Sequence, residues 1–93
     1  MGKPENVVEQ RLRTHVEALS GLCLKFISSR SGVPDRIVVL RGKTVFVELK
    51  APGGRLSSLQ KIRIKQLREA GADVRVITSK DEVDRFIAEF VLN

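Results

Sequence analysis

The residues of this chain best placed to do chemistry are Asp35, Glu48 and Lys50. Glu48 and Lys50 stand two apart in a run of strand-forming residues, Thr44 to Lys50. Side chains alternate faces along a strand, so both emerge on one side. Asp35 opens the preceding run, Asp35 to Arg41, and Gly42-Lys43 between the runs suits a type II′ hairpin turn. With that turn Arg41 falls opposite Thr44, Val39 opposite Phe46, Ile37 opposite Glu48 and Asp35 opposite Lys50. Asp35, Ile37, Glu48 and Lys50 then share one face, and Val38, Leu40, Val45, Val47 and Leu49 share the other. Diagonal neighbours of this kind lie about 7–8 Å apart at the backbone, near enough for the Asp35 and Glu48 carboxylates to lean onto one divalent cation. A magnesium ion there would keep several waters, take a phosphate oxygen and acidify a bound water, with Lys50 orienting that water or stabilising the charged phosphorus centre. The chemistry these residues suggest is phosphodiester hydrolysis. A Glu-x-Lys alternation also suits a solvated cross-strand ion pair. The features beyond such a pair are Pro34 just before Asp35, a loop break after Lys50, and Gln60 opening the next helix.

Oxygen must hold any metal here. Cys23 and His15 are the sole residues of their types, too few for a Cys/His zinc cage, and carboxylate ligands favour magnesium, manganese or calcium. Cys23 has no partner for a disulfide and reads as a small core residue rather than a nucleophile. Gly53-Gly54 lacks the surroundings of a phosphate-cradling loop, so no nucleotide cofactor is expected.

These side chains need elements to position them. Val8, Leu12, Val16 and Leu19 recur at helical spacing and predict a first helix from Pro4 to about Ser20, with Gly21 as its stop. Leu22 to Ser28 reads as a strand, residues 29–34 as a turn-rich loop, and Asp35–Arg41 and Thr44–Lys50 as two antiparallel strands. After a break at residues 51–55, Ser57-Ser-Leu-Gln60 has the pattern of a capping box for a helix reaching about Ala70, with Gly71 as its stop. Asp73–Thr78 is a fourth strand. Ser79-Lys-Asp-Glu82 repeats the capping pattern and starts a helix that turns Val83, Phe86, Ile87 and Phe90 inward. The order is αβββαβα, an α/β fold with a mixed sheet flanked by helices.

The chain has 93 residues, 17 Lys plus Arg against 11 Asp plus Glu, a net charge of +6 and 42% hydrophobic residues. A chain this short buries roughly 60–68% of its unfolded surface and builds one core, so a single domain over residues 1–93 is expected. No apolar run approaches the roughly 18 residues of a membrane span and no secretory leader is apparent, which points to the cytoplasm. The basic balance points to a polyanionic partner. Lys61, Lys65 and Arg68 follow i, i+4, i+7 spacing on the second helix, facing away from Leu59, Ile62 and Ala70. With Arg55 they could track a phosphate backbone or simply form a solvated face. Lys25 and Arg36 are further candidates for phosphate contact, or for pairing with a nearby acid. With no Tyr or Trp, and four Phe at core positions, a base-stacking platform is not expected. Ile64 and Leu67 lie on a second side of the same helix, suited either to a partner or to the sheet.

Gly32-Val-Pro-Asp-Arg36, then Phe46-Val-Glu-Leu-Lys-Ala-Pro52, then Gln60 resembles the VRR-NUC family of the PD-(D/E)XK nuclease superfamily over nearly the whole chain. The family's αβββαβ core is the order read above, and its stand-alone members are small proteins often encoded by bacteriophages. The resemblance implies a DNA endonuclease using Mg2+ or Mn2+, in the host bacterial cytoplasm if phage-encoded. It implies that Asp35, Glu48 and the Leu49 carbonyl bind the metal, that Lys50 is the catalytic lysine and that Gln60 is the helix glutamine near the site. It further implies an acid from the first helix, Glu9 or alternatively Glu5, completing the site. Structured substrates such as branched or junction DNA, and a homodimer supplying two cuts, follow from the same likeness. The alternatives are a non-catalytic basic DNA-binding module on the same fold, or a protein-interaction module that ignores DNA.

Overall fold

The computed structural model describes the backbone of residues 4–92 and the side chains of residues 6–92. The elements are α1 (Pro4–Ala18), β1 (Leu22–Lys25), β2 (Arg36–Leu40), β3 (Lys43–Leu49), α2 (Ser58–Glu69), β4 (Val74–Ile77) and α3 (Lys80–Val91), in the expected αβββαβα order. The strands form one sheet in the order β1-β2-β3-β4. The first three strands pair antiparallel, while β4 pairs parallel to β3 after the α2 crossover.

One face of the sheet carries the core. Val38, Leu40, Val45, Val47, Leu49 and Ile77 pack beneath Val8, Leu12 and Val16 of α1 and Val83, Phe86, Ile87 and Phe90 of α3. Alternation along β2 and β3 dictates this, since every second residue is apolar and faces the helices. A bidentate Arg11–Asp84 pair, at 2.8 and 2.9 Å, joins α1 to α3. Arg75 joins β4 to α3 through Glu89 at 2.7 Å and lies 5.6 Å from the centre of the Phe86 ring. On the opposite face α2 packs against β4, with Ile64 as its buried residue. The molecule measures 34 × 32 × 21 Å.

The hairpin turn differs from the expected one. Its central residues are Arg41 at φ 51° and Gly42 at φ 81°, both left-handed as a type I′ turn requires, and Leu40 pairs with Lys43. A non-glycine residue at positive φ is unfavourable. Here the Arg41 guanidinium also donates to the Phe90 carbonyl at the end of α3, at 3.0 Å. The pairing is shifted by two residues from the expected register. An even shift leaves each side chain on its expected face. Val47 now faces Arg36, so Asp35, one residue further out, comes across from Glu48 rather than Lys50.

Other boundaries moved for local reasons. β1 ends at Lys25 rather than Ser28, the last residue that pairs with β2. At the end of α1 the left-handed position belongs to Ser20, at φ 65°. Gly21 serves a different need: a Cβ there would lie 2.8 Å from the Val39 carbonyl and 2.8 Å from Leu40 Cδ1. Ser57 and Gln60 form the full capping box, and Gly71, at φ 104°, follows α2 as expected. At α3 only half of the pattern forms. Ser79 accepts the Glu82 amide, but the Glu82 carboxylate turns to the Thr78 amide and hydroxyl. On α2 the expected apolar stripe is outermost, with Leu59 40% and Ile62 52% exposed, and Ile64 points to the sheet.

Candidate active site

Asp35 ends a loop that is held at several points. Gly32, at φ 84°, presses so closely on α2 that a Cβ would lie 2.9 Å from Leu59 atoms, and Arg63 donates to the Ser31 carbonyl at 3.0 Å. Pro34 is buried, and the Phe26 amide donates to the Asp35 carbonyl at 2.8 Å. The two oxygens of the Asp35 carboxylate are then used separately. Oδ1 accepts the Leu49 amide at 3.3 Å, and Oδ2 lies 3.3 Å from the Arg36 guanidinium.

Glu48 is the buried charged residue of the described chain, only 5% exposed. Lys50 Nζ lies 3.5 Å from its Oε2, and Gln60 Nε2 donates to the same oxygen at 3.1 Å. Burial first, and the neighbouring Asp35 charge second, raise the Glu48 pKa above the ordinary carboxylate value, while Lys50 and the Asp35 amide pull the other way. Glu48 is thus a carboxyl largely out of water, with the Asp35 charge nearby and Lys50 against it.

The orientation of Gln60 follows from the helix cap. Its Oε1 accepts the Ser57 backbone N–H at 2.9 Å while the Gln60 backbone N–H donates to Ser57 Oγ at 3.1 Å. With the side-chain oxygen so occupied, the Nε2 end is the one presented to Glu48. The same side chain therefore caps α2 and reaches the acid on β3.

Glu9, half-buried on α1, faces the Asp35 end of the sheet, with Oε1 4.0 Å from Arg36 Nε and 3.9 Å from Arg13. The Glu5 side chain lies outside the described residues. Lys25 is exposed and pairs across from Arg36; Arg55, Lys61 and Lys65 are also exposed. The Arg68 guanidinium donates to the Val74 carbonyl at 3.2 and 2.7 Å, so its charged end is tied to the start of β4. Burial, assisted by Glu9, pushes the Cys23 thiol up to about 11, which keeps it neutral and unreactive. Arg63, the anchor of the loop before Asp35, escaped the sequence reading, whereas Arg36, read as a phosphate contact or a partner of a nearby acid, takes the second role and bridges Asp35 and Glu9. Arg36 had adjacency to Asp35 as a signal. Arg63 had none, because nothing in its spacing relates it to Ser31.

The donor set of carboxylate oxygens suits a hard divalent cation. Among the described residues no group of three or more His, Cys, Asp or Glu is arranged to hold a metal. A cation on Asp35 and Glu48 would complete its shell with backbone oxygen and water, the arrangement magnesium favours.

Comparison with known proteins finds relatives of one family. The profile of the VRR-NUC domain matches residues 2–81. The candidate nuclease p44 of Acyrthosiphon pisum secondary endosymbiont phage 1 is 40% identical over 79 residues, covering 83% of this chain and 85% of that protein. Fanconi-associated nuclease 1 of Danio rerio is 41% identical over 64 residues, covering 62% of this chain but 6% of that much longer protein. A solved structure described as a VRR_NUC domain superposes with a TM-score of 0.87 at 33% identity, covering 96% of this chain and 99% of the other.

Proposed function

The chain belongs to the VRR-NUC family, a nuclease family, and from that membership we propose that it is a divalent-metal-dependent endonuclease hydrolysing DNA phosphodiester bonds, selective for branched DNA. The observation that carries this reading is the meeting of Asp35 and Glu48 beside Lys50, with Glu48 buried and its ionised form disfavoured. Asp35, Glu48 and the Leu49 carbonyl would hold Mg2+ or Mn2+. When bound, such a cation supplies positive charge to a phosphate oxygen and lowers the pKa of its water.

The remaining work falls to this chain's own side chains. Lys50 Nζ, beside Glu48, directs a positive charge at the place where negative charge grows on the scissile phosphate, and can orient the attacking water. Gln60 holds the Glu48 carboxylate through Oε2, and the Leu49 amide fixes Asp35 through Oδ1, so both acids are oriented before substrate arrives. Exposed Arg55, Lys61 and Lys65 supply sequence-independent phosphate contacts. The small chain has little surface to enclose a duplex, which favours a homodimer with a larger footprint.

The test compares wild type with Lys50→Ala and Asp35→Ala on matched duplex, flap and four-way-junction DNAs in magnesium, manganese and EDTA. The expected result is metal-dependent cutting, strongest on a branched substrate and reduced at least about 100-fold in either folded variant. Full activity in either variant would refute the assignment. Salt-sensitive binding without cutting by any of the three proteins would identify a non-catalytic DNA-binding module instead.

A further inference from the structure

Arg36 lies where an acidic cluster needs a cation. Its Nη1 is 3.3 Å from Asp35 Oδ2 and donates to the Asp35 carbonyl at 3.0 Å, while Nε is 4.0 Å from Glu9 Oε1. The side chain is only 16% exposed, so these charges are less screened than a surface pair. The cations around the acids are divided. Lys50 faces Glu48, whereas Arg36 faces both Asp35 and Glu9, linking β2 to α1. A guanidinium turned inward onto two carboxylates is poorly disposed to grip a DNA phosphate as well.

We propose that Arg36 is a positioning residue that acts as the resident counter-ion of the acidic cluster, steadying Asp35 and Glu9 without metal and opposing the entry of a divalent cation. The inference rests on reading Asp35 and Glu48 as the metal site. It separates Arg36 from the exposed basic residues: its charge governs how tightly metal binds before DNA arrives, not how tightly DNA binds. The sign of the effect is diagnostic. If Arg36 served only to pack or orient, its loss would loosen Asp35 and weaken metal binding. As a competing cation, its loss leaves the carboxylates more negative and strengthens it.

The experiment is a Mn2+ titration of the DNA-free full chain, followed by the paramagnetic resonance of free Mn2+, for wild type, Arg36→Gln and Arg36→Lys. Melting is recorded in EDTA, and the salt dependence of junction-DNA binding is also measured in EDTA. Arg36→Gln should bind Mn2+ about three-fold tighter or more and melt lower in EDTA, with the slope of DNA binding against salt unchanged. Arg36→Lys, which keeps the charge, should stay near wild type in Mn2+ affinity. Unchanged or weaker Mn2+ binding by Arg36→Gln, beside a wild type that binds the ion, would overturn this proposal alone. A salt slope shallower by about one ion, with Mn2+ affinity unchanged, would make Arg36 a phosphate contact. No Mn2+ binding by wild type would remove the metal-site reading and this inference with it. Should Arg36→Gln be unfolded in EDTA, excess Mn2+ should refold it; failure to do so would count against the proposal.

Discussion

If Glu48 holds the proposed cation, it is under two opposing demands. A ligand for a divalent cation must be ionised, yet burial and Asp35 favour the protonated form. Because its folded pKa lies above the ordinary 4.5, its favourable contribution to stability is complete below the unfolded value and is lost as pH rises through the folded one. Glu48→Gln should therefore raise the melting temperature in EDTA at pH 7, by roughly 2–5 °C, and flatten the stability profile above the ordinary carboxylate range. Cleavage should disappear in the same variant. A lower melting temperature would mean that the bonds to Lys50 and Gln60 outweigh the burial of charge. At this scale the sequence was readable where parity decides: Glu48 and Lys50 had to share a face whatever the register. The second partner of Arg36, Glu9 on α1, was not readable, because a long guanidinium side chain can reach acids on several elements.

Elements were legible where one side chain decides their ends. Ser57 and Gln60 spell a capping box, and the box forms; Ser79 caps α3 as read, but Glu82 found a nearer donor in Thr78. The turn was harder, since Arg41-Gly42 and Gly42-Lys43 each offer a two-residue loop, and the Arg41–Phe90 bond that accompanies the turn found is remote in sequence. The inward side of α2 was harder still, because Leu59, Ile62, Ile64 and Leu67 are apolar in two directions and only docking chooses between them. Gly21 looked like a helix stop but marks a close approach between α1 and the sheet. Gly21→Ala should cost about 1–3 kcal/mol in urea denaturation, since one of its close neighbours is the rigid Val39 backbone. A neutral effect would show that β2 yields easily there.

For the whole molecule, the burial of Ile64 removes it as a docking residue for a second copy. Apolar surface is available elsewhere. β1 and β2 present Leu22, Leu24 and Val39 on the sheet face where α2 packs against β4, and these are 55%, 48% and 38% exposed. A homodimer with paired active sites would use this face, and sedimentation should then show a wild-type dimer that Leu24→Glu dissociates at micromolar concentration. A monomeric wild type, or a dimer indifferent to Leu24→Glu, would exclude this arrangement. The chain order and the mixed sheet were legible as a whole because strand and helix periods alternate cleanly along the sequence. The open sheet half was not, since cover depends on where one crossover helix comes to rest.

The tight turn at Arg41-Gly42 also bears on how the molecule comes together in time. Asp35 and Glu48 belong to a single hairpin, and hairpins close in roughly 1–10 μs, whereas β4 can pair with β3 only after the longer α2 crossover. Local chain closure should therefore assemble the acidic pair ahead of the parts that later enclose it. A cation able to bridge two carboxylates would then assist the chain as well as the finished enzyme. Stopped-flow refolding should be faster in Mn2+ than in EDTA, and an equal rate would place the meeting of the two acids after the folding barrier.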